Sequence, residues 1–170
     1  MKRKTILACI FSGLILLASP PVAAQPAPSP LVGSWQLTLT PNTPPPAVPT
    51  VPIPALATFT LDGSVVETDG SEVVPAMASA GKVAFGTPGH GIWQPAPAIG
   101  NLYIQFISLM VNPNASLHAI RNVTIIGALD PTGTIFNGGY TAQLVAPTGH
   151  VITTTTGTVA GQKIPHPALP

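Results

Sequence analysis

GNLYIQFISLMVNPNASLHAIRNVTIIGALDPTGTIFNGGYTAQLVAPTGHVITTTTGTVAGQKI, residues 100–164, decides the fold. It holds four runs of strand-forming residues, 102–111, 116–129, 134–145 and 151–160, with short turns between them. The turns are Asn112-Pro113-Asn114-Ala115, Asp130-Pro131-Thr132-Gly133 and Ala146-Pro147-Thr148-Gly149. In each, proline holds the second corner, where its fixed φ suits a type I turn, and two have glycine in the fourth place. Runs joined so tightly must return antiparallel and adjacent. The stretch predicts a four-strand meander.

Upstream, residues 31–40 read as a first strand, with Trp35, Leu37 and Leu39 on one face and Ser34, Gln36, Thr38 and Thr40 on the other. Residues 41–54 carry seven prolines in fourteen positions. Each removes a ladder donor, so an extended polyproline loop is expected there. Residues 55–61 and 64–68 flank Asp62-Gly63, a strong hairpin signal. Residues 69–87 read as a loop with an apolar piece at 73–77 and at most one helical turn within 72–80. Residues 89–94 form a strand carrying Trp93. The count is eight antiparallel strands, an all-β fold: a closed up-and-down barrel or, alternatively, a β-sandwich. Ten-residue strands of about 33 Å, at ~3.3 Å per residue, and tight turns favour the barrel. Closure also removes edges that so uncharged a sheet could not protect.

The chain opens Met1-Lys2-Arg3-Lys4, turns apolar from Ile6 to Ala18 and ends that segment Val22-Ala23-Ala24. A signal peptide over 1–24 is expected, and with it a secreted or periplasmic protein. The apolar run is about 13 residues, too short for a comfortable membrane span, so no stable span is expected after cleavage. Residues 25–30 form a proline-rich leader, 31–164 the barrel domain and 165–170 a frayed tail. Loss of 24 residues from 170 leaves 146, one domain's worth, and takes away the single cysteine. The remaining cations, Lys82, Arg121 and Lys163, face five carboxylates, a formal −2. No basic stripe exists for nucleic acid.

Gly33-Ser34-Trp35 on the first strand, ahead of an eight-stranded meander and behind a signal peptide, resembles the lipocalins and the wider calycin group. The resemblance implies that Trp35 plugs the closed end of a barrel whose lumen holds a small apolar ligand. In that family a late-strand arginine lies over the tryptophan; here Arg121 comes too early in the chain to be its counterpart. The Thr-Asp-Tyr-like turn, the disulfide and the helix after the last strand are absent. Dirigent and allene-oxide-cyclase-like barrels share the gross architecture.

Candidate ligand-binding residues are His90, Trp93, Tyr103, Arg121 and Tyr140. In Gly89-His90-Gly91-Ile92-Trp93 the glycines either leave the imidazole prominent or form a bulge that seats Trp93 in the core. Arg121 shares a face with Leu117, Ala119, Val123 and Ile125. If that face is luminal, Arg121 needs an internal acid, Glu67 for example, or a carboxylate ligand; otherwise it reaches solvent from outside. Tyr103 and Tyr140 offer hydroxyls that could orient a ligand or simply pack. The histidines show no metal-ligand spacing, and no nucleophile elbow or phosphate loop is present, so neither metal nor cofactor is expected. Three functions fit: a barrel binding a small apolar molecule, a cofactor-free barrel enzyme of isomerase or cyclase type using His90, Arg121 and Glu67, or a structural secreted protein.

Overall fold

The computed structural model describes residues 29–42, 51–70, 85–96, 101–112 and 114–165. The expected signal peptide, most of the leader, the centre of the proline-rich segment, the 73–77 piece and nearly all of the tail lie outside them. Among the described residues there are nine strands: β1 (Gly33–Pro41), β2 (Ile53–Phe59), β3 (Ser64–Asp69), β4 (Phe85–Gly86), β5 (Gly89–Ala96), β6 (Asn101–Val111), β7 (Leu117–Leu129), β8 (Ile135–Val145) and β9 (Val151–Lys163). Every pairing is antiparallel. Around the sheet the order is β1-β2-β3-β5-β6-β7-β8-β9, and β9 pairs again with β1. The two-residue β4 lies against β6 on the edge not used by β7, continuing the line of β5. Thr87 bridges the break: its N–H donates to the Leu109 carbonyl, and its Oγ1 accepts from the Leu109 N–H. The wall is therefore a closed eight-stranded barrel. The sandwich alternative falls, because closure leaves no second sheet.

The differences from expectation are small. β4 falls inside what read as loop, because Phe85-Gly86 is too short to show a period. β9 runs on to Lys163, since Gly161 and Gln162 pair with β1 despite their weak strand propensity. The three turns close as their prolines suggest. Ala115, Gly133 and Gly149 donate N–H bonds to the carbonyls of Asn112, Asp130 and Ala146, at 2.9, 3.0 and 2.8 Å. All three fourth-place residues have positive φ, at 63°, 70° and 87°. Glycine takes that conformation freely; Ala115 takes it under strain.

Alternation then decides the interior. Trp35, Leu37 and Leu39 of β1 are buried between exposed Gln36 and Thr38. The other strands follow the same period-two rule, so each sends one set of side chains inward. One end of the barrel, here the floor, is filled by Trp35, Phe59, Val65, Trp93, Ile104 and Phe136. Burying each such side chain contributes roughly 1.5–3 kcal/mol. Trp35 is fully buried, and its Nε1–H donates to the Leu31 carbonyl at 2.7 Å. Lys163, which pairs with Trp35 in register, sets its Nζ 5.9 Å from the indole centroid and donates to the Pro30 carbonyl at 2.6 Å. A late-strand cation does lie over the tryptophan, and it is a lysine. Nearby, the Asp130 carboxylate accepts from the backbone N–H groups of Thr132, Thr134 and Ile135, at 3.2, 2.9 and 2.8 Å. With the Thr132 hydroxyl as the largest cause, these bonds hold its carboxyl at about 2, below the usual 3.8.

Charges keep off the outer wall. Among the described residues, Asp62 and Asp130 sit in turns and Lys163 ends β9, while Glu67, Asp69 and Arg121 point inward. What faces out along the strands is threonine, glutamine, asparagine and partly exposed aliphatics such as Ile92, Ile107 and Ile126.

Candidate functional site

At the end opposite Trp35, here the mouth, the interior turns polar. Arg121 lies on the inward parity of β7 with Ala119, Val123 and Ile125. Its side chain is 15% exposed. A guanidinium there costs several kcal/mol in lost hydration unless acceptors surround it. Three residues on two other strands provide them. Nη1 donates to Asp69 Oδ2 at 2.7 Å, and Nε donates to Ser108 Oγ at 2.9 Å. Nη2 lies 3.6 Å from Glu67 Oε2. Glu67 and Asp69 share the inward parity of β3, and Ser108 takes that of β6 between Phe106 and Met110. Glu67 and Ser108 are both 1% exposed.

Beside this cluster lies a part-enclosed cavity of about 350 Å³. Leu39, Ile53, Phe106, Val123, Tyr140 and Ala142 give it apolar and aromatic walls, and Asp69 and Arg121 give it its charges. Burial, with the Asp69 carboxylate as the second cause, raises the Tyr140 hydroxyl above its usual 10. The phenol therefore stays neutral throughout the physiological range. Two other hollows, of about 360 and 340 Å³, open on the outer wall around Gln36.

Of the five candidate residues, the fold brings two together: Arg121 and Tyr140 both line the cavity. Trp93 is buried in the floor, its Nε1–H donating to the Thr60 carbonyl at 3.0 Å. Tyr103 lies on the outer wall, its hydroxyl 3.3 Å from Gln105 Oε1. His90 is also outside, opposite Val66 and Ile107 in register. Its neighbouring glycines are the inward residues. A Cβ on Gly89 would come within 2.6 Å of the Phe106 ring, and one on Gly91 within 1.9 Å of the Gln105 carbonyl oxygen. The glycines therefore admit a neighbouring strand and its phenylalanine, and the imidazole is turned away from Arg121 and Glu67. The enzyme constellation of His90, Arg121 and Glu67 does not form.

Glu67 was readable as the partner of Arg121; Asp69 and Ser108 were not. Asp69 stands where the strand gives way to loop-like sequence. Ser108 needed the parity of β6, on which Ile104, Phe106 and Met110 mark the inner face. Among the described residues, no group of three or more His, Cys, Asp or Glu could hold a metal ion, and no helix is long and apolar enough to cross a membrane. No family model, curated protein or solved structure matches the chain.

Proposed function

We propose that this protein is an exported barrel that binds a small, largely apolar molecule in the cavity at its mouth. The observation that carries this reading is the cavity of about 350 Å³, walled by apolar and aromatic side chains with a few fixed polar groups. That combination is usual for small-molecule sites. The lipocalin-like architecture, with a buried Trp35 at the opposite end, supports it by analogy of form. The signal-peptide pattern read in the sequence of residues 1–24 supports export. A space of this size speaks against a purely structural barrel, whose interior would be filled.

The test is a titration of the protein with N-phenyl-1-naphthylamine, a fluorophore neutral at pH 7. Its emission should rise saturably, and Ala142→Phe, which fills the cavity from β8, should abolish the rise while leaving the β-sheet circular dichroism unchanged. A response that survives Ala142→Phe puts the probe elsewhere and overturns the assignment of the cavity.

A further inference from the structure

A tyrosine or tryptophan enclosed by protein ordinarily finds a partner for its polar hydrogen. The chain has two of each, and three of the four do so. Trp35 Nε1–H donates to the Leu31 carbonyl at 2.7 Å, Trp93 Nε1–H to the Thr60 carbonyl at 3.0 Å, and the Tyr103 hydroxyl lies 3.3 Å from Gln105 Oε1. Tyr140 is the exception. It is 6% exposed, and among the described residues its hydroxyl makes no hydrogen bond. Its oxygen is not sealed off, and the space it meets is the mouth cavity.

The strand opposite holds the ring in place. Tyr140 stands across from Gly157 in register, and a Cβ at 157 would come within 2.5 Å of Cε1 and 2.8 Å of Cζ. The ring therefore lies over β9 in space that a side chain would otherwise take, and Cζ, the atom that bears the hydroxyl, is packed against the backbone there. Ala142 and Thr155, the next pair along the two strands that lines the cavity, are small and leave it open. The phenol stays protonated at neutral pH, so it has a hydrogen to give. The charged side chains on the cavity wall among the described residues, Asp69 and Arg121, hold each other at 2.7 Å. An ionic head group would have to part them, whereas a neutral acceptor needs only the phenol.

We infer, resting on the reading of the mouth cavity as a ligand site, that it takes apolar molecules bearing a neutral carbonyl oxygen, a ketone or ester, which accepts the Tyr140 O–H. The apolar remainder lies along Leu39, Val123 and Ala142.

The test compares acetophenone with α-methylstyrene, which keeps the same planar shape and has a methylene in place of the carbonyl oxygen. Each is titrated at pH 7 against the protein loaded with N-phenyl-1-naphthylamine, in the unaltered chain and in Tyr140→Phe. In Tyr140→Phe the dissociation constant of acetophenone should rise about tenfold, as for a buried acceptor left unpaired, while that of α-methylstyrene stays within about twofold. A second readout needs no variant: the carbonyl stretch of acetophenone bound to the unaltered protein should lie at lower frequency than in hexane. Equal weakening of both compounds, weakening of neither, or an unshifted carbonyl band overturns the acceptor assignment and leaves the apolar site standing. So does failure of both compounds to displace the fluorophore. If the fluorophore itself gives no saturable response, the reading of the cavity as a ligand site falls and this inference falls with it.

Discussion

The floor and the mouth of this barrel are built from the same eight strands and obey the same alternation, yet they solve opposite problems. At the floor the inward positions carry large rings and branched aliphatics that fill the space, with one indole N–H satisfied by the Leu31 carbonyl. At the mouth the inward positions of β3, β6 and β7 carry Glu67, Asp69, Ser108 and Arg121, and space remains beside them. Both strand-register irregularities, at Met110/Val111 and at Leu144/Val145, also fall at the mouth. Bulges gather at barrel rims where the ladder is bent to serve something other than packing. Close packing is concentrated at one end and buried polar groups at the other.

The comparison breaks most directly at Trp35. Trp35→Ala should cost about 3–5 kcal/mol, the range for a fully buried aromatic ring whose cavity cannot collapse. Urea denaturation should show the midpoint falling with little change in slope. A loss below about 1 kcal/mol would mean that the floor is not the stable end. Arg121→Met should cost about 3 kcal/mol, because it strands Glu67 and Asp69 without their cation. Its signature is recovery: adding Glu67→Gln and Asp69→Asn to Arg121→Met should restore most of the loss. If the triple variant is no more stable than Arg121→Met, the cost lies in packing and not in charge. The smallest effect is expected at the turns. Ala115 at the mouth holds a φ of 63°, where the corresponding residue at the floor turn is Gly133. Ala115→Gly should stabilise the protein by about 0.5 kcal/mol, strain relief being partly offset by the entropy of glycine. Thermal melting should rise by a degree or two, and a fall would show that the strain is only apparent.

These two ends were not equally legible in the sequence. The floor could be read from Trp35-Gln36-Leu37-Thr38-Leu39, where alternation is clean and one face alone is apolar. The meander could be read from its three proline turns. The mouth was half legible: an arginine among aliphatics on one parity called for an internal acid, and Glu67 was within the candidates. Asp69 stayed hidden because a strand's last residue carries no period of its own. The glycines beside His90 admit two readings in the sequence, a prominent imidazole or a bulge that seats Trp93, and the close approach of β6 is what demands them. Lys163 pairs with Trp35 three residues beyond the expected strand end at 160, because Gly161 and Gln162 hide the continuation of β9. Interaction across strands depends on register, and register is settled by the whole ring of pairings at once.

The uncharged outer wall has a consequence for how this protein behaves at high concentration. Most proteins are kept apart by like charges on their surfaces, and lose solubility when pH approaches neutral net charge. Among the described residues, the carboxylates and cations outside the barrel sit only in turns and at the end of β9, so acid or base has few charged groups through which to change how two walls meet. Solubility therefore rests on water held by the threonine, glutamine and asparagine side chains. The protein should salt out readily in sulfate, which strengthens apolar association by exclusion from protein surfaces, and respond far less to pH between 7 and 9.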